Sequence, residues 1–149
     1  MRPEDVSVEA FVGVDELSAL EADARADGRI MVSRFIQEWR DGRNRFSRPG
    51  ERAYIAKRKG RICAVGGLNR DPFASDSRVG RVRRLYVSVS DRRNGIGTAL
   101  MDQLLEDARG IYTWLHLRTL DSDAAAFYEA IGFEPVEGNE HCTHRRPVA

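Results

Sequence analysis

The run Arg92-Arg93-Asn94-Gly95-Ile96-Gly97-Thr98 has the residue types and spacing of a backbone cradle for a pyrophosphate. It joins a strand-like run, 82–89, to an amphipathic helix. Glycines at 95 and 97 permit a tight turn and let a ligand approach the backbone closely. The first N–H groups of the following helix have no acceptor inside it, and the helix dipole favours an anion there. Arg92 and Arg93 add counter-charge. Two better-known phosphate loops do not fit. The dinucleotide fingerprint needs a third glycine where Leu100 stands, and the nucleoside-triphosphate loop needs a Gly-Lys pair, which the chain lacks. A Gly-x-Gly run alone is usually a plain turn, so its surroundings must supply the meaning.

Those surroundings are patterned. Ile96, Leu100, Leu104 and Ala108 recur every four residues with Met101 and Leu105 beside them, and Asp102, Glu106 and Asp107 fall on the other side. Packing of that stripe fixes the helix and holds its N-terminus in place, and a preorganised donor set loses less entropy on binding. In the preceding strand Leu85, Val87 and Val89 alternate, but Val82 is out of phase. One extra residue near Arg83-Arg84 restores the register, which predicts a β-bulge and freed backbone N–H groups. Upstream, 6–14 reads as a strand. A helix follows with Leu17, Leu20 and Ala24 on one face, stopping at Gly28, and a second has Met31, Phe35 and Trp39 beside Val32 and Ile36. Residues 43–50 read as a loop, 52–58 and 62–68 as a hairpin about Lys59-Gly60-Arg61, and 69–78 as a polar loop. A second apolar run occupies 111–117.

Length and composition fit one domain over 1–149. A chain of 149 residues, 42% hydrophobic and 32% charged, buries enough apolar surface to fold without a disulfide framework. Cys63 lies among apolar residues and reads as a buried, inert thiol. Cys142 between His141 and His144 is a poor match to zinc spacing, so no metal is expected. The N-terminal residues lack a signal-peptide core and no apolar run reaches spanning length, which predicts a cytoplasmic protein that does not engage a membrane. The net charge of +1 hides a segregation: residues 25–61 carry twelve of the 24 Arg and Lys against four acids. Such a segment can mark nucleic acid or an anionic substrate. It lacks interleaved aromatics on a strand, so a solvated arginine-rich face is favoured over a nucleic-acid site.

Past the second apolar run stands a further motif. Ala124, Tyr128, Gly132 and Phe133 hold the places of Ala-x-x-x-Tyr-x-x-x-Gly-Phe, about thirty residues after the cradle. The pair of motifs, in this order, resembles the GCN5-related N-acetyltransferase (GNAT) family, closely over 78–135 and more weakly back to about residue 52. The resemblance implies an α/β acyltransferase fold, a mixed and mostly antiparallel sheet with splayed central strands and helices on both faces. It implies acetyl-coenzyme A as cosubstrate, in the opening between the splayed strands. By position, Leu85, Tyr86 and Val87 would line the thioester and pantetheine with backbone groups. The amides of Arg93, Asn94, Gly95, Ile96, Gly97 and Thr98 would wrap the pyrophosphate together with Arg92. Tyr128 would be the general acid for the departing thiolate.

Two positions depart from the family pattern. Asp121 stands where relatives often carry an asparagine that contacts the cofactor; a carboxylate has no proton to donate, and capping of the next helix is the favoured role. Many relatives carry a glutamate base on the strand before the cradle, where this chain has Arg81, Arg83 and Arg84. Asp71, Glu51, Asp121, His116 and His141 stay open as bases, as does a solvent relay. The expected activity is direct acetyl transfer to a primary amine of a small molecule or peptide, mainly by positioning. The first two helices and the loops 43–51 and 69–78 are expected to wall the acceptor site, with Arg83 or Arg84 at its floor favouring an anionic acceptor. A homodimer is allowed. A non-catalytic acyl-coenzyme A sensor, and less so a basic nucleic-acid module, are the alternatives.

Overall fold

In the computed structural model, which describes residues 5–149, the apolar patterns resolve into β1 (Val6–Ala10), α1 (Ser18–Ala26), α2 (Met31–Arg40), β2 (Arg52–Arg58), β3 (Arg61–Arg70), β4 (Val79–Val87), α3 (Ile96–Ala108), β5 (Trp114–Leu117), α4 (Ser122–Ala130), β6 (Glu134–Pro135) and β7 (His144–Pro147). The sheet order is β1-β2-β3-β4-β5-β7-β6. Among the described residues only the β4–β5 pair is parallel. The β2–β3 hairpin turns on Lys59 and Gly60, both at positive φ (53° and 76°), as a two-residue turn matching strand twist requires.

Helices cover both faces. On one, Leu17, Leu20 and Ala24 join Val32, Phe35 and Ile36 of α2 over Ile55, Val65 and Tyr86. Phe11 meets Phe35 edge-on with ring centroids 5.0 Å apart, and Phe46 closes the cluster against Phe35 at 5.2 Å. On the other face Met101, Leu104 and Ala108 of α3 pack with Leu68, Val82 and Leu115, while Ile96 and Leu100 pack with Ala56, Cys63 and Ala64. Burying a leucine such as Leu100 or Leu104 contributes about 1.5–3 kcal/mol. Asp107 is an exception to the polar face expected of α3. It accepts a hydrogen bond from the half-buried Tyr54 hydroxyl, tying the helix to β2.

Several boundaries differ from the sequence reading. The first strand ends at Ala10 rather than at residue 14, because a 3₁₀ turn over Val14–Leu17 leads into α1. Of 111–117, only Trp114–Leu117 is strand; Ile111 is exposed and Tyr112 turns inward to donate to Gly50 O at 2.8 Å. β6 and β7 were not anticipated: Glu134-Pro135 is two residues long, and His144–Pro147 lacks an apolar alternation. Among the described residues no helix is long and apolar enough to cross a membrane.

β4 positions the site. Its pairing with β3 steps from Val65↔Tyr86 to Gly67↔Arg83, so one extra residue is accommodated on β4. Arg84 sits there at φ 59°, the bulge that the out-of-phase Val82 predicts. On its other side β4 pairs with β5 only over Val79–Arg81. From Val82 onward the two strands part, and the sheet opens.

Candidate active site

Two clefts border the parted end of β4. The first, of about 570 Å³, is lined by Leu85, Tyr86 and Val87 of β4, by Asp91–Arg93 of the loop and Gly95–Thr98 at the start of α3, and by Phe127 and Tyr128 of α4. Of the expected cosubstrate residues, Leu85, Tyr86, Val87, Arg92, Arg93, Gly95, Ile96, Gly97, Thr98 and Asp121 all face it; Asn94 alone does not.

The loop is shaped by its own residues. Arg93 (φ 65°) and Gly95 (φ 77°) take left-handed backbone conformations, and Asn94 Nδ2 donates to Asp91 O at 3.3 Å and Arg92 O at 3.2 Å. The first amide of the helix with a backbone acceptor is Ala99, which donates to Gly95 O at 3.0 Å. Among the described residues the amides of Arg93, Asn94, Gly95, Ile96, Gly97 and Thr98 have no acceptor, and no side chain caps the helix. Six consecutive unpaired donors at a helix N-terminus are the kind of donor set that can hold an anion, the cradle expected from the sequence. Its walls are braced. Asp91, 3% exposed, accepts from Ser88 and from Arg61 Nη1 and Nη2 at 3.0 and 3.2 Å.

Arg92 lines the same cleft, but its guanidinium is already engaged within the protein. Its Nη2 stands 2.7 Å from Asp27 Oδ2, its Nε donates to Val87 O at 3.0 Å, and its guanidinium lies over the Tyr86 ring. Asp27 in turn is held below the usual carboxylate range by the Arg92 hydrogen bond. The Tyr86 hydroxyl donates to Asp23 Oδ1 at 2.6 Å, and burial and that bond push its pKa up. Arg92 thus serves here to fasten α1 to the loop.

Tyr128 is 8% exposed, its ring between Phe127 and Phe133 with centroids 5.2 and 5.4 Å away. Its hydroxyl has no hydrogen-bond partner among the described residues, yet it is not a sealed buried atom; the residue lines the first cleft. Burial pushes its pKa up, which keeps the proton on oxygen. Asp121 caps α4, accepting from Asp123 N at 3.0 Å, and its other oxygen meets Arg29 Nη2 at 2.7 Å.

The second cleft, of about 460 Å³, opens along Arg81–Arg84 and is lined also by Arg34, Phe73, Arg118, Glu140 and His141. The segment 43–51, expected as a wall, is not among its lining residues: Phe46 is buried in the core and Glu51 accepts from Asn69 Nδ2 at 2.9 Å. The segment carrying Glu140 and His141 takes that place. Of the open base positions, Asp71 is 2% exposed and lies 3.2 Å from His116 Nδ1 and 3.8 Å from Arg81. Burial pushes the His116 pKa down, which favours its neutral ring. Only His141 faces the second cleft. Its ring stacks on Phe73 at 3.9 Å, and its Nε2 is 3.1 Å from Glu140 Oε1. Cys142 donates to His144 O and His144 Nε2 meets Glu129 Oε2 at 2.9 Å, so these neighbours serve packing. Cys63 is fully buried, and burial pushes its thiol up to about 11.

Sequence reasoning missed Phe127 and Met31 in the first cleft and Glu140 in the second. Phe127 had a usable signal, since it stands beside Tyr128 on α4; Glu140 lies in a loop with no periodicity.

The profile of the Acetyltransferase (GNAT) family matches residues 15–133, and the chain belongs to that family. Among solved structures it is similar to a proposed acetyltransferase from Exiguobacterium sp. 255-15, at 30% identity and TM-score 0.85 over 96% of this chain and 93% of that one. An acetyltransferase of the GNAT family from Staphylococcus aureus Mu50 shares the fold at 15% identity and TM-score 0.76, over 97% and 99% of the two chains. So does the PaiA N-acetyltransferase of Thermoplasma acidophilum, solved in complex with coenzyme A, at 15% identity and TM-score 0.69 over 95% and 98%. No protein of curated function matches the chain.

Proposed function

We propose that the protein transfers the acetyl group of acetyl-coenzyme A directly to a primary amine. The observation that supports this reading is the run of six amides from Arg93 to Thr98 without acceptors among the described residues, beside a cleft that Tyr128 also lines. Bound there, acetyl-coenzyme A supplies an activated acetyl group as its thioester. The amides of the cradle would hold the pyrophosphate, and backbone groups of Leu85, Tyr86 and Val87 would hold the pantetheine. Tyr128 Oη keeps its proton until a thiolate needs it. His141 is the base: with Nε2 turned to Glu140, its Nδ1 carries the lone pair that takes the amine's proton from the second-cleft side. The other residues act by position.

The sensor reading rests on one observation, the absence of a carboxylate from β4. The basic-module reading has less support, since six of the cations in 25–61 (Arg25, Arg29, Arg43, Lys57, Arg58 and Arg61) lie within 4.0 Å of a carboxylate. The deciding experiment is coenzyme A thiol release against a panel of amines and peptides, alongside the melting shift produced by acetyl-coenzyme A. Turnover of an amine supports the enzyme. A melting shift without turnover of any amine leaves the sensor, and no shift overturns the cradle assignment.

A further inference from the structure

Five arginines and one carboxylate line the second cleft. Most of the guanidiniums are already engaged. Arg81 donates to His141 O at 2.7 Å and lies 3.8 Å from Asp71. Arg84 holds both oxygens of Glu38 at 3.1 Å. Arg118 donates to Glu140 O at 3.0 Å, and the Glu140 carboxylate itself is taken by His141. Arg83 differs. It is half-buried on the cleft floor, and among the described residues its guanidinium has neither a hydrogen-bond acceptor nor a carboxylate within 4.0 Å.

A half-buried cation without a partner is costly, and neighbouring like charges add to the cost. Burial first, then Arg84 and Arg81, pushes the Arg83 pKa down. Glu38 and Asp71 offset part of this from a distance, but no carboxylate lies within 4.0 Å of Arg83 among the described residues, so an anion from outside would find the guanidinium fork free. A guanidinium presents a planar fork of donors that matches the two oxygens of a carboxylate or phosphate. The surrounding arginines focus potential in a concave site and raise the local concentration of anions. A volume of about 460 Å³ suits a small molecule rather than a folded partner.

We propose that the acceptor is a small primary amine that also carries an oxyanion, and that Arg83 reads that oxyanion on the floor of the second cleft. The assignment rests on the acetyl-transfer reading for its amine; the anion subsite stands on geometry alone. His141, on the same cleft, is then placed for the amine end of the bound molecule.

The test compares acceptors matched in pairs: amino acids with their amides, and phosphoethanolamine with ethanolamine. Each is assayed by thiol release at saturating acetyl-coenzyme A. Anionic members should have the lower KM. Arg83→Gln should raise the KM of the anionic member about tenfold or more, leave the neutral member within about twofold, and leave the acetyl-coenzyme A melting shift intact. Arg83→Lys, which keeps the charge and loses the fork, should fall between. The carboxylate and phosphate pairs decide which oxyanion is read. Neutral members as good as anionic ones, or an equal loss on both in Arg83→Gln, overturns the subsite and leaves acetyl transfer standing. A second readout covers the case in which no amine turns over. With coenzyme A saturating the cradle, acetate or inorganic phosphate should raise the melting temperature of the wild type but not of Arg83→Gln; no Arg83-dependent shift overturns the proposal independently of catalysis.

Discussion

Gly97 and Phe127 are set so closely that a β-carbon on Gly97 would stand 3.2 Å from Phe127 Cζ and 3.3 Å from Cε1, with Val87 Cγ2 at 3.7 Å. The first turn of α3, the middle of α4 and the end of β4 therefore meet at one point beside the cradle. Phe127 is only half-buried, and the room available for its ring to yield is the cleft. Gly97→Ala should fold, because the roughly 1 kcal/mol gained in helix propensity offsets the displaced ring. Its melting shift with acetyl-coenzyme A should shrink. Gly97→Glu should abolish that shift by steric block and like charge. Adding Phe127→Leu to Gly97→Ala should restore part of the affinity. Titration of all three by thermal shift checks this, and an unchanged affinity in folded Gly97→Glu would remove the cradle from the argument.

Arg84 makes the bulge at a cost. At φ 59° a residue with a β-carbon loses roughly 1–2 kcal/mol relative to ordinary backbone. The ion pair with Glu38 repays part of it, the two side chains being 17% and 18% exposed. Arg84→Ala keeps the strain and loses the pair, whereas Arg84→Gly loses the pair and relieves the strain. Arg84→Gly should therefore be more stable than Arg84→Ala by about 1 kcal/mol, the reverse of their usual order. Urea unfolding of both variants is the check.

The bulge was legible because Val82 falls out of phase with Leu85, and a two-residue period leaves no other repair. The cradle was legible because glycines at 95 and 97 follow a strand and open an apolar-striped helix. What could not be read lies in contacts between distant segments. Nothing in the local sequence pairs Arg84 with Glu38 or Arg92 with Asp27, and so nothing marks Arg83 as a half-buried guanidinium left without a carboxylate. The second cleft owes Glu140 and His141 to a loop placed by β7, a strand too short and polar to show a period.

Asp91 supports the cradle through charge, which makes the support acid-sensitive. Burial raises its pKa, but the hydrogen bonds from Arg61 and Ser88 and the charges of Arg61 and Arg58 outweigh that and hold the carboxyl below 3.8. A carboxyl depressed by folding adds stability above its unfolded pKa and loses it as pH falls through the folded one. Asp91→Asn should cost about 2 kcal/mol near neutrality and should narrow its deficit as the pH drops below about 4. Urea unfolding of both proteins at pH 6 and at about pH 3 reads the difference. A deficit that stays constant would mean that Asp91 contributes by shape and not by charge.

His141 separates a base from a wall. As a wall, its ring would only cover Phe73 and donate from Nε2 to Glu140. If it takes the amine's proton, His141→Gln should lower kcat about a hundredfold with the acetyl-coenzyme A melting shift unchanged, and added imidazole should recover part of the rate. A wall residue would instead change KM for the acceptor and show no recovery.

Tyr128 divides the enzyme from a sensor. A purely structural tyrosine on α4 would satisfy its hydroxyl on a backbone carbonyl, but this one has no such partner among the described residues and faces the first cleft. Its ring, between Phe127 and Phe133, is core material in either case. Tyr128→Phe keeps that ring and removes one unpaired oxygen, so stability and acetyl-coenzyme A affinity should hold. The raised pKa, caused by burial, means that Tyr128 carries its proton throughout the working range and that the variant's loss should not depend on pH there. General acids contribute roughly a hundred- to ten-thousand-fold. A thiolate is a good leaving group that water can partly serve, which places the expected fall in kcat near the lower end. Steady-state turnover with both substrates saturating, checked by single turnover so that product release does not mask chemistry, measures it. A variant within about threefold of wild type, well below the range for a general acid, would make Tyr128 a packing residue and return the proton of the leaving group to solvent.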